Sequence, residues 1–365
     1  MNKAARPADE LGHRLLPRRS MLILGTGLGL GIAGCTADNS PAPPEPSASP
    51  TPQPEPLPGT VDGAALESSL AEFAYWTATV FEDDLSAADA RLLSALQVTH
   101  RQHAAVLSAE DVFAVPGPLP SDSPTGSSSS TPSPSPSPST LQPPIEIGDD
   151  LDAAFANLAS LESTVAEGHQ RLAVNPLPNQ DHQLEEDQLR KLVLLWGSLA
   201  AAASGYAAAC KRRVDPGKRV HGAERVAAVW PGPVEALQHV LQQTYAMIFG
   251  YQTAIAAMLG KDAERARSRL SALRNLRDEL SGRLADGDHQ VPSPHPAYQL
   301  PVQPTNGSKA RKLLGRMEAG YLPHLGQWLG TETDDRTDPI ESLIMTSESA
   351  GLWSPAIQVW PGWPT

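Results

Sequence analysis

From residue 61 to near the end of the chain, apolar side chains recur at intervals of three and four and almost nowhere alternate with polar ones. That period belongs to amphipathic helices packed on a shared core and not to strands, so the chain is predicted to be all-α. In the first half Leu66, Leu70, Phe73, Trp76 and Val80 form one stripe, and Leu92, Leu96, His100, His103 and Leu107 a second. Leu151, Phe155, Leu158, Val165 and Leu172 form a third; Leu189, Leu192, Trp196, Leu199, Ala203 and Tyr206 form a fourth. Between the second and third stripes, residues 116–144 include Thr131-Pro132-Ser133-Pro134-Ser135-Pro136. Such a segment has too little apolar surface for a core and is expected to be disordered. Residues 61–213 thus read as a four-helix bundle interrupted by 116–144, with one long crossing connection.

The second half, 230–365, opens on Trp230-Pro231-Gly232-Pro233, which sets a proline where a helix can begin. Val234, Leu237, Leu241, Tyr245, Ile248, Ile255 and Leu259 then repeat helically, with Gly260 as the expected stop. Leu270, Leu273, Leu280 and Leu284 give the next stripe, and the proline-bearing stretch 287–303 a non-helical crossing. Leu313, Met317, Tyr321, Leu325 and Trp328 mark a third helix with Pro323 inside it; Ile340, Leu343, Ile344 and Leu352 mark a short fourth. The tail carries Trp353, Trp360 and Trp363 and is expected to pack across the bundle, since three indoles are costly to leave in water.

The N-terminus reads as an export signal. Arg14, Arg18 and Arg19 precede an apolar run that ends in Ile32-Ala33-Gly34-Cys35, an order that fits a secretory signal and is too short for a spanning helix. The ending resembles a bacterial lipobox, which implies cleavage after residue 34, acylation of Cys35 and a body held at the outer face of the cell membrane. Pro17-Arg18-Arg19-Ser20-Met21-Leu22 also resembles a twin-arginine signal. Residues 35–60, rich in Pro and Ser, read as an extended tether, and no further segment is expected to span a membrane. Residues 1–34 hold five of the 28 Lys/Arg and two of the 41 Asp/Glu. The remainder therefore carries 23 against 39, a net charge of −16, a poor match for nucleic acid. With Cys35 acylated, Cys210 has no disulfide partner; in its alanine-rich run it reads as a buried, inert thiol.

Residues 237–250, Arg277-Asp278-Glu279-Leu280, Pro296-Ala297-Tyr298-Gln299-Leu300-Pro301 and 310–318 resemble the uncharacterised ferritin-like domain found at the C-terminus of many actinobacterial lipoproteins. The resemblance covers about the last third of the chain and implies a ferritin-like four-helix bundle without an assigned activity. It would also place a Glu-His pair near Gln243 and Thr244 and a histidine near Leu273, positions at which this sequence departs from the pattern. Glu318 is left there without visible partners.

A carboxylate-rich metal site in a bundle needs Glu and His converging from several helices. The first half offers His100 and His103 on one helix, Glu162 and His169 on another and Glu72 on a third, with spacings of three and seven that put each set on one face. The plainer reading, imidazoles hydrogen-bonded to neighbours at the core boundary, weighs more heavily at this stage. No nucleophile elbow, phosphate-cradling glycine loop, Cys-x-x-Cys pair or dinucleotide fingerprint occurs. The cluster of arginines at 265, 267, 269, 274, 277 and 283 reads as a solvated, salt-bridged face. The sequence therefore points first to a non-enzymatic, cofactor-free binding or structural module of the cell envelope, anchored through Cys35, with an envelope protein as its partner. The alternative is a ferritin-like metal-binding protein using His100, His103, Glu162 and His169.

Overall fold

Side chains set most of the helix starts. In the computed structural model, which describes residues 56–114, 146–177, 184–217, 220–221, 225–354 and 356–364, Ser86 opens α2 (Ala87–Leu107) by accepting from the Asp89 backbone N–H at 3.1 Å. Asp150 does the same for α3 (Leu151–Val174), accepting from Ala153 at 2.7 Å. Glu185 and Gln188 form a reciprocal capping box at the start of α4 (Glu186–Arg212), and Asn306 caps α7 (Gly307–Thr331) at 3.0 Å. Each cap satisfies N–H groups that have no partner within the helix. α5 (Pro233–Ile255) begins on its proline, whose missing N–H costs nothing in the first turn. The first helix, α1 (Thr60–Val80), the sixth, α6 (Gly260–Asp286), and the last, α8 (Thr337–Trp353), complete eight α-helices among the described residues. The only strand pairing among them is a two-residue parallel contact of β1 (Val220–His221) with β2 (Ile357–Gln358). The chain is all-α. The leader 1–34, Cys35, nearly all of the tether and the segment 116–144 lie outside the described residues.

Two expectations about local structure are corrected. α5 stops at Ile255, and Gly260 opens α6 with φ +56° instead of ending α5. The turn between them leaves Leu259 91% exposed, so that residue is no part of the apolar stripe. On α1 the buried face runs through Gly63, Ala64, Glu67, Leu70, Phe73, Ala74 and Thr77, while Leu66 and Val80 are exposed. The helix is rotated from its expected stripe because a carboxylate, Glu67, is held inside.

α1 packs on α2 and α3 on α4; α5 packs on α6 and α7, and α7 on α8. α4 also lies along α7 and α8, so it walls both groups of helices. Leu192, Val193, Leu194, Leu195 and Trp196 are consecutive and all buried, the pattern of a helix enclosed on every side. By length and composition α4 would be apolar enough to cross a membrane, contrary to the expectation that none would, but its apolar window is 83% buried inside the fold. Its first turns share one core with Leu325, Leu329 and Ile340, and its later residues Ala202, Ala203 and Tyr206 share another with Leu92, Leu96 and Phe155. Cys210 at its end is buried, with its thiol pushed well up by burial and by the charge of Glu162. The tail lies buried through Trp353, Trp360 and Trp363, as the sequence implies. Truncating Leu195 to Ala is expected to cost about 2–5 kcal/mol, read from denaturant midpoints, with the fluorescence of Trp76 and the near-ultraviolet ellipticity of the C-terminal tryptophans moving in one shared transition.

Candidate metal centre

Glu67 of α1 is buried in the middle of the first four helices, 1% exposed. A carboxylate there must be met by donors or positive charge, since transferring it unpaired from water is prohibitive. Three imidazoles from two helices meet it. His100 Nδ1 of α2 lies 2.7 Å from Glu67 Oε2 and His103 Nδ1, one turn on, 3.1 Å from the same oxygen. His169 Nε2 of α3 lies 3.0 Å from Oε1. The donor atoms of Glu67, His100 and His103 lie within 4.8 Å of one another.

The outer nitrogens are also held. His100 Nε2 lies 2.7 Å from Glu162 Oε1 of α3, and His103 Nε2 lies 2.9 Å from the backbone carbonyl of Val359 in the tail. Tyr206 of α4 sets its ring edge-on to His100 and nearly parallel to His103, at 5.5 and 6.3 Å, and donates its hydroxyl to Gln358 O at 2.6 Å. Trp196 stacks on His169 at 5.3 Å and Trp360 tilts over His103 at 4.6 Å. His100, His103, Glu162 and His169, the four expected site residues, thus come together; Glu72 is exposed and takes no part, and Glu67 takes the place expected for it.

Hydrogen accounting sets the chemistry of this cluster. A carbonyl oxygen can only accept, so His103 carries its proton on Nε2 and, as a neutral ring, turns the lone pair of Nδ1 toward the Glu67 carboxylate. Both nitrogens of His100 face carboxylate oxygens, yet a neutral ring has one N–H. Among the described residues no Lys or Arg pairs with Glu67 or Glu162, and Glu162 Oε2 has no partner. The assembly lacks about two positive charges, which protons or one divalent cation would supply. Burial alone would push the Glu67 carboxyl up, but the pull of His103 and His100, positive when a ring carries its second proton, outweighs it and holds Glu67 well below the carboxylate range. Burial alone would likewise push His100 down, but Glu162 and Glu67 carry it up to about 10. Glu162 is raised by burial against the opposing pull of His100.

The second four helices also bury a carboxylate and neutralise it differently. Glu318 of α7, for which the sequence offered no partner, receives Arg269 Nε and Nη2 of α6 at 2.9 Å on each oxygen, Ser349 Oγ at 2.9 Å and the Tyr251 hydroxyl. Arg269 Nη2 also donates to Thr346 Oγ1 at 2.7 Å, and the Trp353 indole to the Tyr251 hydroxyl at 2.9 Å. Arg269 therefore does not belong to a solvated basic face: its side chain is 9% exposed. Burial would lower its pKa, but the charge of Glu318 raises it. At the positions where the ferritin-like resemblance would call for ligands, Thr244 hydrogen-bonds the Tyr321 hydroxyl at 2.6 Å and Leu273 is fully buried core.

Residues 236–365 match the family model of a domain of unknown function, DUF4439. That domain is present at the C-terminus and contains the Arg269–Glu318 pair; to the histidine cluster it supplies no imidazole or carboxylate, but the Val359 carbonyl and the Trp360 ring over His103. No curated protein matches the chain, and no solved structure does.

Replacing Arg269 by Ala would leave Glu318 buried without its cation and is expected to cost about 3–5 kcal/mol in a denaturant titration. The double change Arg269→Met with Glu318→Leu should recover most of that loss, and a double variant as unstable as the single would refute the pairing argument.

Proposed function

We propose that this chain is a metal-binding protein that holds one first-row divalent transition metal in its first four helices, through Glu67 and the imidazoles of His100 (Nδ1), His103 (Nδ1) and His169 (Nε2). The observation that carries the reading is the proton deficit of the cluster. Five imidazole nitrogens face oxygens, and three neutral rings cannot fill them all with hydrogen. With a divalent ion among the four inner donors, every ring needs one proton. His100 Nε2–H donates to Glu162, His103 Nε2–H donates to Val359 O, and the ion neutralises the two carboxylates. Ligating histidines commonly have their second nitrogen held by such an outer carboxylate or carbonyl.

Metal–nitrogen bonds of about 2.1 Å in a tetrahedron set neighbouring donors roughly 3.4 Å apart. The ligand atoms of Glu67, His100 and His103 lie within 4.8 Å of one another, and His169 Nε2, 3.0 Å from the other Glu67 oxygen, would complete the set by a side-chain movement. Three imidazoles and one carboxylate suit Zn²⁺, Fe²⁺, Mn²⁺ or Cu²⁺ over Mg²⁺ and Ca²⁺. The donors are buried and with His169 would number four, which favours holding the ion over turning over a substrate, so we take the protein to be non-enzymatic. The leader and the lipobox of the sequence support an address outside the cell membrane, with the protein tethered through acylated Cys35.

Elemental analysis of the full chain, purified without chelators and again after reconstitution, is expected to give about one equivalent of metal. Glu67→Gln and His103→Ala should each weaken binding by at least roughly tenfold, as loss of a ligand or its orienting partner does. A blank in the wild type after reconstitution would overturn the metal reading and leave a binding or structural module in which protons, on His100 first, neutralise the carboxylates.

A further inference from the structure

Resting on the metal reading, we propose that the C-terminal segment 356–364 is a strap whose docking and the binding of metal are one linked equilibrium. Each favours the other, although Val359 of the strap and His103 lie 256 residues apart in the chain. The Val359 carbonyl fixes the proton of His103 on Nε2 at 2.9 Å and so presents Nδ1 as a donor. Tyr206, packed on both His100 and His103, holds the preceding Gln358 carbonyl at 2.6 Å. Trp360 covers the His103 ring. Withdrawing 356–364 would remove an outer partner of one ligand and the indole that shields it in a single movement.

The strap is attached by few directional contacts. Its strand pairing is two residues long, and among the described residues the indole N–H groups of Trp360 and Trp363 have no acceptor, each a desolvation cost left unrepaid. Arg225 lies over both indoles at 5.0 and 5.1 Å and is itself anchored on the carbonyls of Val112 and Ala114. A small cleft beside the strap is lined by Gly205, Tyr206, Ala209, Ser347, Ile357 and Gln358, among them the ring that touches two ligands. Closure against α7 depends on Gly326, where a Cβ would lie 2.0 Å from the Gly362 carbonyl oxygen. Linkage is reciprocal: if the docked strap tightens metal binding, bound metal must tighten the strap by the same factor.

The test uses the full chain and Co²⁺, whose absorption reports both affinity and geometry, with hydrogen exchange read over 356–364. Gly326→Val, which displaces the strap without touching a ligand, is expected to weaken Co²⁺ binding roughly 10- to 100-fold, the range for loss of an outer partner. In the wild type, Co²⁺ should slow exchange in the strap. Leu280→Ala on α6, which loosens the same core and is neither a ligand nor part of the strap, should leave the affinity near the wild-type value. If Gly326→Val binds as tightly as the wild type, or Leu280→Ala loses as much, or metal leaves strap exchange unchanged, the linkage is overturned and the metal centre stands. If the wild type itself takes up no Co²⁺, both fall together.

Discussion

The carboxylate of Glu67 is enclosed by three imidazoles, and the arrangement of the first four helices follows from the need to neutralise it. An ionised carboxyl cut off from water must find charge or hydrogen within its own hydrogen-bonding radius. Here that requirement draws His100 and His103 from α2 and His169 from α3 onto two oxygen atoms. It also rotates α1, so that Leu66 faces solvent and a face of Gly63, Ala64 and Ala74 lies within. Small residues on that face let α1 come close to its neighbours, and Trp196 fills the space beside Gly63.

The two groups of helices solve the same electrostatic problem by different means. Around Glu318 the cation is covalent: a guanidinium that cannot leave, forked across both oxygens and further fixed by Thr346. Around Glu67 the neutralising groups are imidazoles, whose charge is exchangeable for that of a metal. The first kind of pair is permanent, whereas the second can change its charge, the property on which the proposed metal site rests. α4 carries apolar side chains into both cores, so the two buried carboxylates lie in cores that share one helix.

The tail ties this division together. The segment that ends the matched C-terminal domain crosses to the first helices and supplies a backbone carbonyl to His103. A backbone carbonyl leaves no mark in sequence, because any residue at 359 would present one. What fixes its position is the glycine contact between Gly326 and Gly362 together with the indoles on either side of it.

Much of the architecture was legible in the sequence because it rests on local chemistry. The helical period, the proline at the head of α5 and the burial of the tail tryptophans depend on near neighbours or on hydrophobicity alone. The histidines on one turn of α2, and Glu162 with His169 two turns apart on α3, were legible as pairs for the same reason. Glu67 was not. On a helix with apolar residues on nearly every side, an inner and an outer face look alike, and only the histidines of α2 and α3 decide which carboxylate turns inward. Arg269 read as one more charge on a basic helix until Glu318, 49 residues away, gave it a partner. The sequence by itself determined which segments are helices and which residue types are able to bind. The tertiary structure decided which of them meet, because hydrogen bonds and charge act over a few ångströms and those distances are set by packing between helices remote in the chain.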